Sequence, residues 1–350
     1  MNGSWWYRLE HLERMSDTRG IFEHASGSVR REEFGYCTDD NARLLVVLCR
    51  EPDDGIARTL SETALRFVLD AQNDAGRCHN RLDFEGMWHW SDDAGTEDWW
   101  GRALWGLGSA AACHPRPWVR EEARWGFERS ARQRSPFRRS MAFAALGAAD
   151  LLIADPTADL ARNLLVDAVT AIGRPLNTSW VWPEPRLSYA NAALAEAVIA
   201  AGVALGRQAD VDRGLEMLEW LLDLQTHDGH LSVVGVGGRG PRDRCPQFDQ
   251  QPIEVAALAD ACWRAWLATG DSRWAAGVAD AAAWYLGAND AGVRMFDAAT
   301  GGGYDGLTPE GPNTNQGAES TLAFVSTMQR CRSLMPLTST GGRPRLKRIA

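Results

Sequence analysis

Lysine is nearly absent from this chain of 350 residues, in which arginine supplies almost all of the positive charge. The only lysine, Lys347, lies in a short basic segment near the carboxyl terminus. A Schiff-base lysine in the body of the fold is therefore excluded, together with most pyridoxal-phosphate enzymes and lysine-type aldolases. We expect the protein to work without a cofactor.

The chain also lacks an excess of positive charge and closely spaced cysteines. Its formal net charge of -9 gives no basic footprint for nucleic acid. Its seven cysteines are too far apart in sequence for a zinc motif. The stretch HDGH (227–230) contains two histidines, but its Asp-Gly pair favours a turn over a metal site. We expect no metal.

Long apolar runs are missing as well, since no stretch approaches the length of a membrane span. The first six residues do not start a signal peptide, because no basic region is followed there by an apolar one. An odd number of cysteines favours reduced thiols. The sequence therefore predicts a cytoplasmic protein without a membrane span.

What the chain does contain is a repeated pattern, in which a short polar motif leads into an apolar helix. The first motif, GYCTDDNAR (35–43), places two acids in the first turn, where the helix dipole favours negative charge. Its Thr38 is a candidate helix cap. The second to sixth motifs are residues 96–102, 138–140, 187–191, 249–254 and 315–319.

Six amphipathic segments alternate with the six apolar helices, and each shows the single apolar stripe of an outer-layer helix. They are residues 4–16, 56–72, 116–132, 157–172, 211–225 and 271–287. Long glycine-rich connections lead into most apolar helices, whereas short connections lead out of them, so the motifs and the long loops share one side.

This alternation predicts an all-α fold, an (α/α)6 toroid of six helical hairpins. The toroid is expected to form a single domain over residues 1–335, followed by a flexible basic tail at 336–350. An open helical superhelix is the alternative architecture. The pocket is expected at the amino ends of the inner helices.

The motifs bring carboxylates together at that pocket, as glycoside hydrolysis requires: one acid donates a proton and another activates water or attacks. The catalytic candidates are Asp39, Asp40, Glu97, Asp98, Glu254 and Glu319. We favour Asp98 or Glu97 as the acid and Asp40 as the base or nucleophile. Each acid alone could instead be a helix cap or an ion-pair partner. Arg43 and Arg102, each four residues after an acid, are expected to pair with Asp39 and Asp98 within their own helices.

Aromatic and amide side chains near the motifs favour sugar binding, because indole rings stack on sugar faces and amides bind hydroxyls. The candidates are Tyr36, Asn41, Arg43, Arg102, Trp88, Trp90, His24, Tyr189, Asn191, Gln250, Gln251, Asn315 and Gln316. We expect the loops 84–90, 232–243 and 299–306 to form the rim of the pocket. Trp88 and Trp90 are expected to form a stacking wall for sugar, or alternatively a lid over the outer helices.

Five long segments resemble a bacterial family whose members are often labelled as glycosyltransferases or fused to them. They are TRGIFEH (18–24), GYCTDDNAR (35–43), EDWWGRALW (97–105), FDQQPIE (248–254) and NQGAEST (315–321). The resemblance implies an (α/α)6 carbohydrate-active fold and association with a glycosyltransferase. The chain departs from the family in the fourth motif, where Ala190 and Ala193 replace the Asp and Arg of Tyr-Asp-Asn-Ala-Arg.

These observations predict a glycoside hydrolase acting on an oligosaccharide or glycoconjugate. A sugar epimerase or isomerase is one alternative, and it would need a proton-shuttling histidine such as His24, His79 or His227 in the pore. A non-catalytic glycan-binding partner of a glycosyltransferase is another, and the altered fourth motif is consistent with it. The sequence does not specify the sugar, the linkage, the anomeric outcome or the oligomeric state.

Overall fold

Helices account for most of the regular structure. The computed structural model describes residues 7–53, 55–84 and 89–338, with side chains described up to residue 334. Within these residues the helices are α1 (Glu10–Arg14), α2 (Thr38–Leu48), α3 (Gly55–Asp70), α4 (Asp98–Cys113), α5 (Pro117–Ser130), α6 (Arg138–Ala154), α7 (Asp159–Ile172), α8 (Ala192–Leu205), α9 (Gln208–Leu224), α10 (Pro252–Thr269), α11 (Ser272–Leu286) and α12 (Ala318–Thr338).

The even-numbered helices form a closed inner ring. Each packs on the next even-numbered helix along the chain, and α12 packs back on α2. The odd-numbered helices lie outside, with α3, α5, α7, α9 and α11 each packed on the helix before it and α1 on α12. The predicted (α/α)6 toroid is therefore confirmed, and the open superhelix is wrong.

The difference in composition between the two rings explains their positions. Every residue from Ala192 to Gly202 of α8 is buried, as expected for a helix that is apolar on all sides. In α9, by contrast, the buried residues form one stripe, which contains Val211, Gly214, Met217, Leu218 and Leu221. A helix that is apolar on all sides has no face suited to solvent. It is therefore covered by amphipathic helices, which have a polar face.

Small residues allow the inner helices to approach closely. A Cβ atom on Gly108 of α4 would lie 2.3 Å from the carbonyl oxygen of Gly147 in α6. Such a distance is far inside van der Waals contact, so only glycine fits at this crossing. The two helices that carry the second and third motifs are consequently held in one rigid arrangement.

Short antiparallel strand pairs occur in the long loops, which were expected to be irregular. They are β1 (Ala25–Ser26) with β2 (Val29–Arg30), β3 (Tyr36–Cys37) with β4 (Arg81–Leu82), β5 (Thr226–His227) with β6 (His230–Leu231), and β7 (Gly306–Thr308) with β8 (Gly311–Asn313). The expected turn at 227–230 is confirmed, because Asp228 and Gly229 have φ angles of 49° and 81°.

No helix in the described part of the chain is long and apolar enough to cross a membrane. Helix α12 extends to Thr338, so the first three residues of the predicted tail at 336–350 continue that helix. Residues 339–350 lie outside the described residues.

Candidate active site at the amino ends of the inner helices

Residues of the first, second, fourth, fifth and sixth motifs line a pocket. It consists of two adjoining cavities of about 280 Å³ and 200 Å³, which share Asp39, Arg43, Gln251 and Glu319 in their walls. The first cavity is also lined by Glu23, His24, Cys37, Asp40, Arg81, Asp305, Gly317 and Ser320. The second is also lined by Asp98, Arg102, Tyr189 and Ile253. Polar groups from separate helices therefore converge at the predicted end of the toroid.

Asp40 is the buried acid of the pocket. Its Oδ1 accepts a hydrogen bond from Arg43 Nη1 at 3.0 Å, and its Oδ2 accepts one from the Cys37 thiol at 3.1 Å. Loss of solvent raises the pKa of Asp40 to about 6, although the Arg43 charge opposes the shift. At neutral pH this carboxyl is closer to protonation than an exposed aspartate.

Arg43 and Arg102 hold the pocket acids by contacts between helices. Arg43 Nη1 lies 2.8 Å from Glu319 Oε2 on α12, and Arg102 Nε lies 2.9 Å from Asp39 Oδ1 on α2. The predicted pairs of Arg43 with Asp39 and of Arg102 with Asp98 are therefore wrong. The reason is tertiary: each guanidinium reaches a carboxylate that the ring brings close, in addition to the Asp40–Arg43 contact within α2.

The expected helix cap at Thr38 is also wrong. Thr38 is the first residue of α2, and its hydroxyl donates to the carbonyl oxygen of His79 at 2.7 Å. Its backbone N–H donates to the carbonyl oxygen of Asn80 at 2.9 Å. Strand pairing between β3 and β4 thus fixes the start of α2, and with it the positions of Asp39 and Asp40.

Asp98 and Tyr189 are hydrogen-bonded to each other in the wall of the second cavity. The Tyr189 hydroxyl donates to Asp98 Oδ2 at 2.5 Å, although the two residues are on different hairpins. Partial burial and the neighbouring Asp98 charge raise the pKa of Tyr189, so its hydroxyl stays a donor. The Arg139 guanidinium lies 4.8 Å from the centre of the Tyr189 ring, in a cation–π contact that helps to position the ring.

Glu254 and Asn191 lie behind the pocket instead of lining it. Asn191 Nδ2 donates to Glu254 Oε2 at 2.9 Å, and Arg139 Nη2 donates to Asn191 Oδ1 at 3.0 Å. Burial raises the pKa of Glu254 to about 7. Its Oε1 is buried without a hydrogen-bond partner among the described residues. This pair positions the start of α8.

Several predicted sugar-binding residues instead fix the loops. Asn41 Oδ1 accepts from the Ile21 N–H at 3.0 Å, and the Tyr36 hydroxyl donates to Asp17 at 2.6 Å. The amide Nε2 of Gln250 donates to Asp290 at 2.5 Å. The side-chain Oε1 of Gln316 accepts a hydrogen bond from the Thr300 hydroxyl at 2.6 Å, and its backbone carbonyl oxygen lies 2.9 Å from Nε2 of His11.

The two remaining polar candidates also lie outside the walls of the pocket. Asn315 Oδ1 accepts from the Gly27 N–H at 2.9 Å. Glu97 is the residue before α4, half-buried beside Gly95. Both contacts connect a loop to the start of an inner helix.

Of the two tryptophans that were predicted to form a stacking wall, Trp90 is described and Trp88 lies outside the described residues. The Trp90 ring packs at 5.4 Å from Phe67 of α3 and stacks at 5.4 Å on His79. It lines a separate cavity of about 350 Å³ with Arg66 and Asp70. Trp90 therefore packs on an outer helix, which is the arrangement of the lid alternative.

Some pocket residues were missed from the sequence. Asp305 accepts hydrogen bonds from the Gly317 N–H at 2.9 Å and from the Ser320 hydroxyl, and Glu23 pairs with Arg81. Glu23 falls in the segment 18–24 and Asp305 in the expected rim loop 299–306. Their positions in these two segments were the signal that could have identified them. Their contacts could not be predicted, because the partners are distant in sequence.

No protein-family model matches the chain, and a comparison of its sequence with curated proteins gives no match. Solved structures do match. A sugar epimerase from a ruminal bacterium is 14% identical with a TM-score of 0.66, covering 93% of this chain and 95% of that one. The cellobiose 2-epimerase of Spirochaeta thermophila is 12% identical with a TM-score of 0.63, covering 93% of each chain. An α-1,6-mannanase of Salegentibacter, in complex with α-1,6-mannotetrose, is 13% identical with a TM-score of 0.62, covering 93% and 97%.

These likenesses establish the fold. That mannanase was solved as an inactive variant in which two adjacent aspartates are replaced by alanine. Enzymes with different reactions share the toroid, so the residues of the pocket must distinguish between reactions. The association with a glycosyltransferase and the cytoplasmic location stay predictions.

Proposed function

We propose that this protein is a carbohydrate-active enzyme, and specifically a glycoside hydrolase acting on an oligosaccharide or glycoconjugate. The observation that carries the proposal is the convergence of Asp39, Asp40, Asp98 and Glu319 on one pocket, with Arg43 and Arg102 between them. Carboxyl groups in distinct environments are what hydrolysis of a glycosidic bond requires.

Asp40 is proposed as the proton donor and Asp98 as its partner, which reverses the roles favoured from the sequence. Burial raises the pKa of Asp40 to about 6, so a larger fraction of this carboxyl carries a proton near neutral pH than of an exposed aspartate. Its proton passes to the glycosidic oxygen as the bond to the anomeric carbon breaks. Asp98, held by the Tyr189 hydroxyl, either takes a proton from the attacking water or attacks the anomeric carbon directly.

Glu319 and Asp39 then serve to position these groups. Arg43 joins Glu319 to Asp40, and Arg102 joins Asp39 to the second motif. The adjacent aspartates of the mannanase variant lend support, because this chain also has an adjacent pair, Asp39 and Asp40, in its pocket.

A sugar epimerase or isomerase is the second candidate, and His24 in the pocket wall favours it. His79 and His227 do not line the described pocket: the His79 Nδ1 contacts the Asp92 carbonyl oxygen at 2.7 Å, and His227 lies exposed on β5. Solvent deuterium incorporated into unhydrolysed sugar would identify this reaction, whereas hydrolysis releases sugar without such exchange.

The test is a screen of oligosaccharides for released sugar, followed by Asp40→Asn and Asp98→Asn on the substrate found. Each variant should lower kcat by about 10²- to 10⁴-fold. Only Asp40→Asn should regain its rate on an aryl glycoside with a strongly acidic leaving group, because that group needs no proton. Glu219→Gln, in an exposed ion pair with Arg273, is the matched control and should retain full rate. Full activity in both aspartate variants would disprove the assignment.

A further inference from the structure

Below the pocket, on the axis of the toroid, lies a smaller cavity of about 50 Å³ whose wall is mostly apolar. Arg43, Arg102 and Glu319 line both this cavity and the pocket above it, so the two spaces adjoin at these side chains. Its apolar wall includes Trp105, Phe143, Ala190, Ala193, Ile253 and Ala257.

Four of these side chains form a cluster that is separate from the main core, and Trp105 and Ala257 pack on both. Phe143, Ala190, Ala193 and Ile253 are buried together, with Trp105 and Ala257 packed on them. The rings of Trp105 and Phe143 are parallel within 4°, at a centroid distance of 6.2 Å. The cluster thus faces the axis and gives the cavity a fixed shape.

Charged groups bound the cavity at both ends: Arg43, Arg102 and Glu319 next to the pocket, and Glu196 and Asp260 at the opposite end. At the upper end the Arg102 guanidinium lies 3.9 Å from the centre of the Phe143 ring. At the lower end Asp260 accepts from Arg330 at 2.5 Å and from Ser326 at 2.9 Å. The ends of the cavity are charged, whereas its middle is lined by apolar side chains, so an additional hydroxyl in the middle would face groups that cannot hydrogen-bond with it.

We infer that this cavity is a subsite for a methyl group of the sugar held in the pocket. A cavity of ~150 Å³ encloses a benzene ring, so 50 Å³ suits one or two carbon atoms. Burying a methyl group there is favourable, whereas burying a hydroxyl without a partner is costly. The preferred sugar therefore carries a methyl group where most sugars carry a hydroxyl, as in a 6-deoxyhexose or an acetamido sugar.

The inference rests on the proposed function, since it names the substrate class of the same pocket. The alanines Ala190 and Ala193 create much of the space. In the first motif the corresponding positions hold Asp40 and Arg43, whose side chains would fill it. The altered fourth motif thereby gains a role in specificity.

The test measures binding instead of turnover, so it can fail independently of the proposed hydrolysis. Saturation-transfer NMR and competition would compare matched pairs: 6-deoxy-D-galactose with D-galactose, 6-deoxy-L-mannose with L-mannose, and N-acetyl-D-glucosamine with N-glycolyl-D-glucosamine. We expect the methyl-bearing member of at least one pair to bind about tenfold more tightly or better, with its methyl protons most strongly saturated. The preferred pair identifies the source of the methyl group.

Ala193→Leu and Ala257→Leu fill the cavity from two different helices. Each should abolish the preference for the methyl-bearing sugar while leaving the weaker binding of its hydroxylated partner unchanged. If one variant does not fold, the other still decides. Equal binding within every pair, no binding of any methyl-bearing sugar at millimolar concentration, or a preference that survives the filling variants would overturn the subsite. Hydrolysis without a preference for methyl-bearing sugars would overturn the subsite but not the proposed hydrolase function.

Discussion

The first and fourth motifs have the same spacing but opposite environments. The first contains Asp40-Asn41-Ala42-Arg43, and the fourth contains Ala190-Asn191-Ala192-Ala193. Each lies next to an acid from a neighbouring inner helix, which is Glu319 for the first motif and Glu254 for the fourth. The aspartate and the arginine of the first motif are both replaced by alanine in the fourth. Beside Arg43 the acids form a polar, ion-paired pocket, whereas beside Ala193 there is an apolar cavity.

Nearby arginines oppose the effect of burial on the pKa of the buried acids, but to different extents: Asp40, next to Arg43, still has a pKa raised to about 6. Asp260 is buried but contacts Arg50 at 3.0 Å and Arg330 at 2.5 Å, and these charges hold its pKa at about 2. Glu254 is equally buried, but its close contacts are with the Asn191 amide and backbone, and its pKa is raised to about 7.

The largest effect is expected from Arg43→Met, which would make the first motif resemble the fourth. Asp40 and Glu319 would lose their shared cation, so we expect the free energy of unfolding to fall by about 3 kcal/mol. Activity should also be lost, because Asp40 is no longer oriented. Urea denaturation and a pH–rate profile would measure the two effects.

Arg273→Met is the matched control for this prediction. Arg273 pairs with Glu219 on the exposed surface of the outer helices, so its loss should cost less than about 1 kcal/mol. Equal stability of the two variants would contradict the role of Arg43 as the residue that holds the pocket acids together.

The architecture was predictable because it depends on periodicity, which is local. Apolar helices such as α8 and striped helices such as α9 can be distinguished along the chain, and their alternation leaves few ways to bury the apolar faces. The convergence of Asp39, Asp40, Asp98 and Glu319 followed from the shared side of the motifs. The pairing of Arg102 with Asp39 did not, because it depends on the distance between α4 and α2.

The directions of the polar side chains were also beyond the sequence. Asn41 and Gln250 lie within motifs, yet they hold loop residues at Ile21 and Asp290. An amide near a helix start can face the pocket or the loop that covers it. Only the path of the loop decides which, and that path is set by contacts distant in sequence.

The second prediction concerns Glu254→Gln, which tests the neutral state of the fourth motif. The folded pKa of Glu254 is about 7, above the ordinary value of 4.5, so the folded state binds the proton more tightly. Stability from this group is therefore full at low pH and is lost as pH rises from about 4.5 to about 7, by up to about 3 kcal/mol. Glutamine has no proton to lose, so the variant should gain stability relative to the parent over that range.

Denaturation of both proteins between pH 4 and pH 8 would measure this difference. Glu196 also has a pKa raised to about 7 by burial, but it contributes equally to both proteins. A stability difference that stays constant with pH would show that Glu254 is charged in the folded protein. It would contradict the raised pKa that distinguishes the fourth motif.

The smallest effect is expected from Tyr189→Phe, which removes the contribution of the fourth motif to the pocket. The Tyr189 hydroxyl donates to Asp98 at 2.5 Å, and a hydrogen bond to a carboxylate contributes about 1.5–3 kcal/mol. We expect kcat to fall about tenfold with little change in KM, because the lost contact orients Asp98 and does not hold the sugar. The melting temperature should hardly change, since the Tyr189 side chain is 41% exposed. A double-mutant cycle with Asp98→Asn isolates the contact: once Asp98 is replaced, Tyr189→Phe should have no further effect. Additive losses would instead mean that Tyr189 acts on the substrate independently, and that the two motifs do not cooperate in one site.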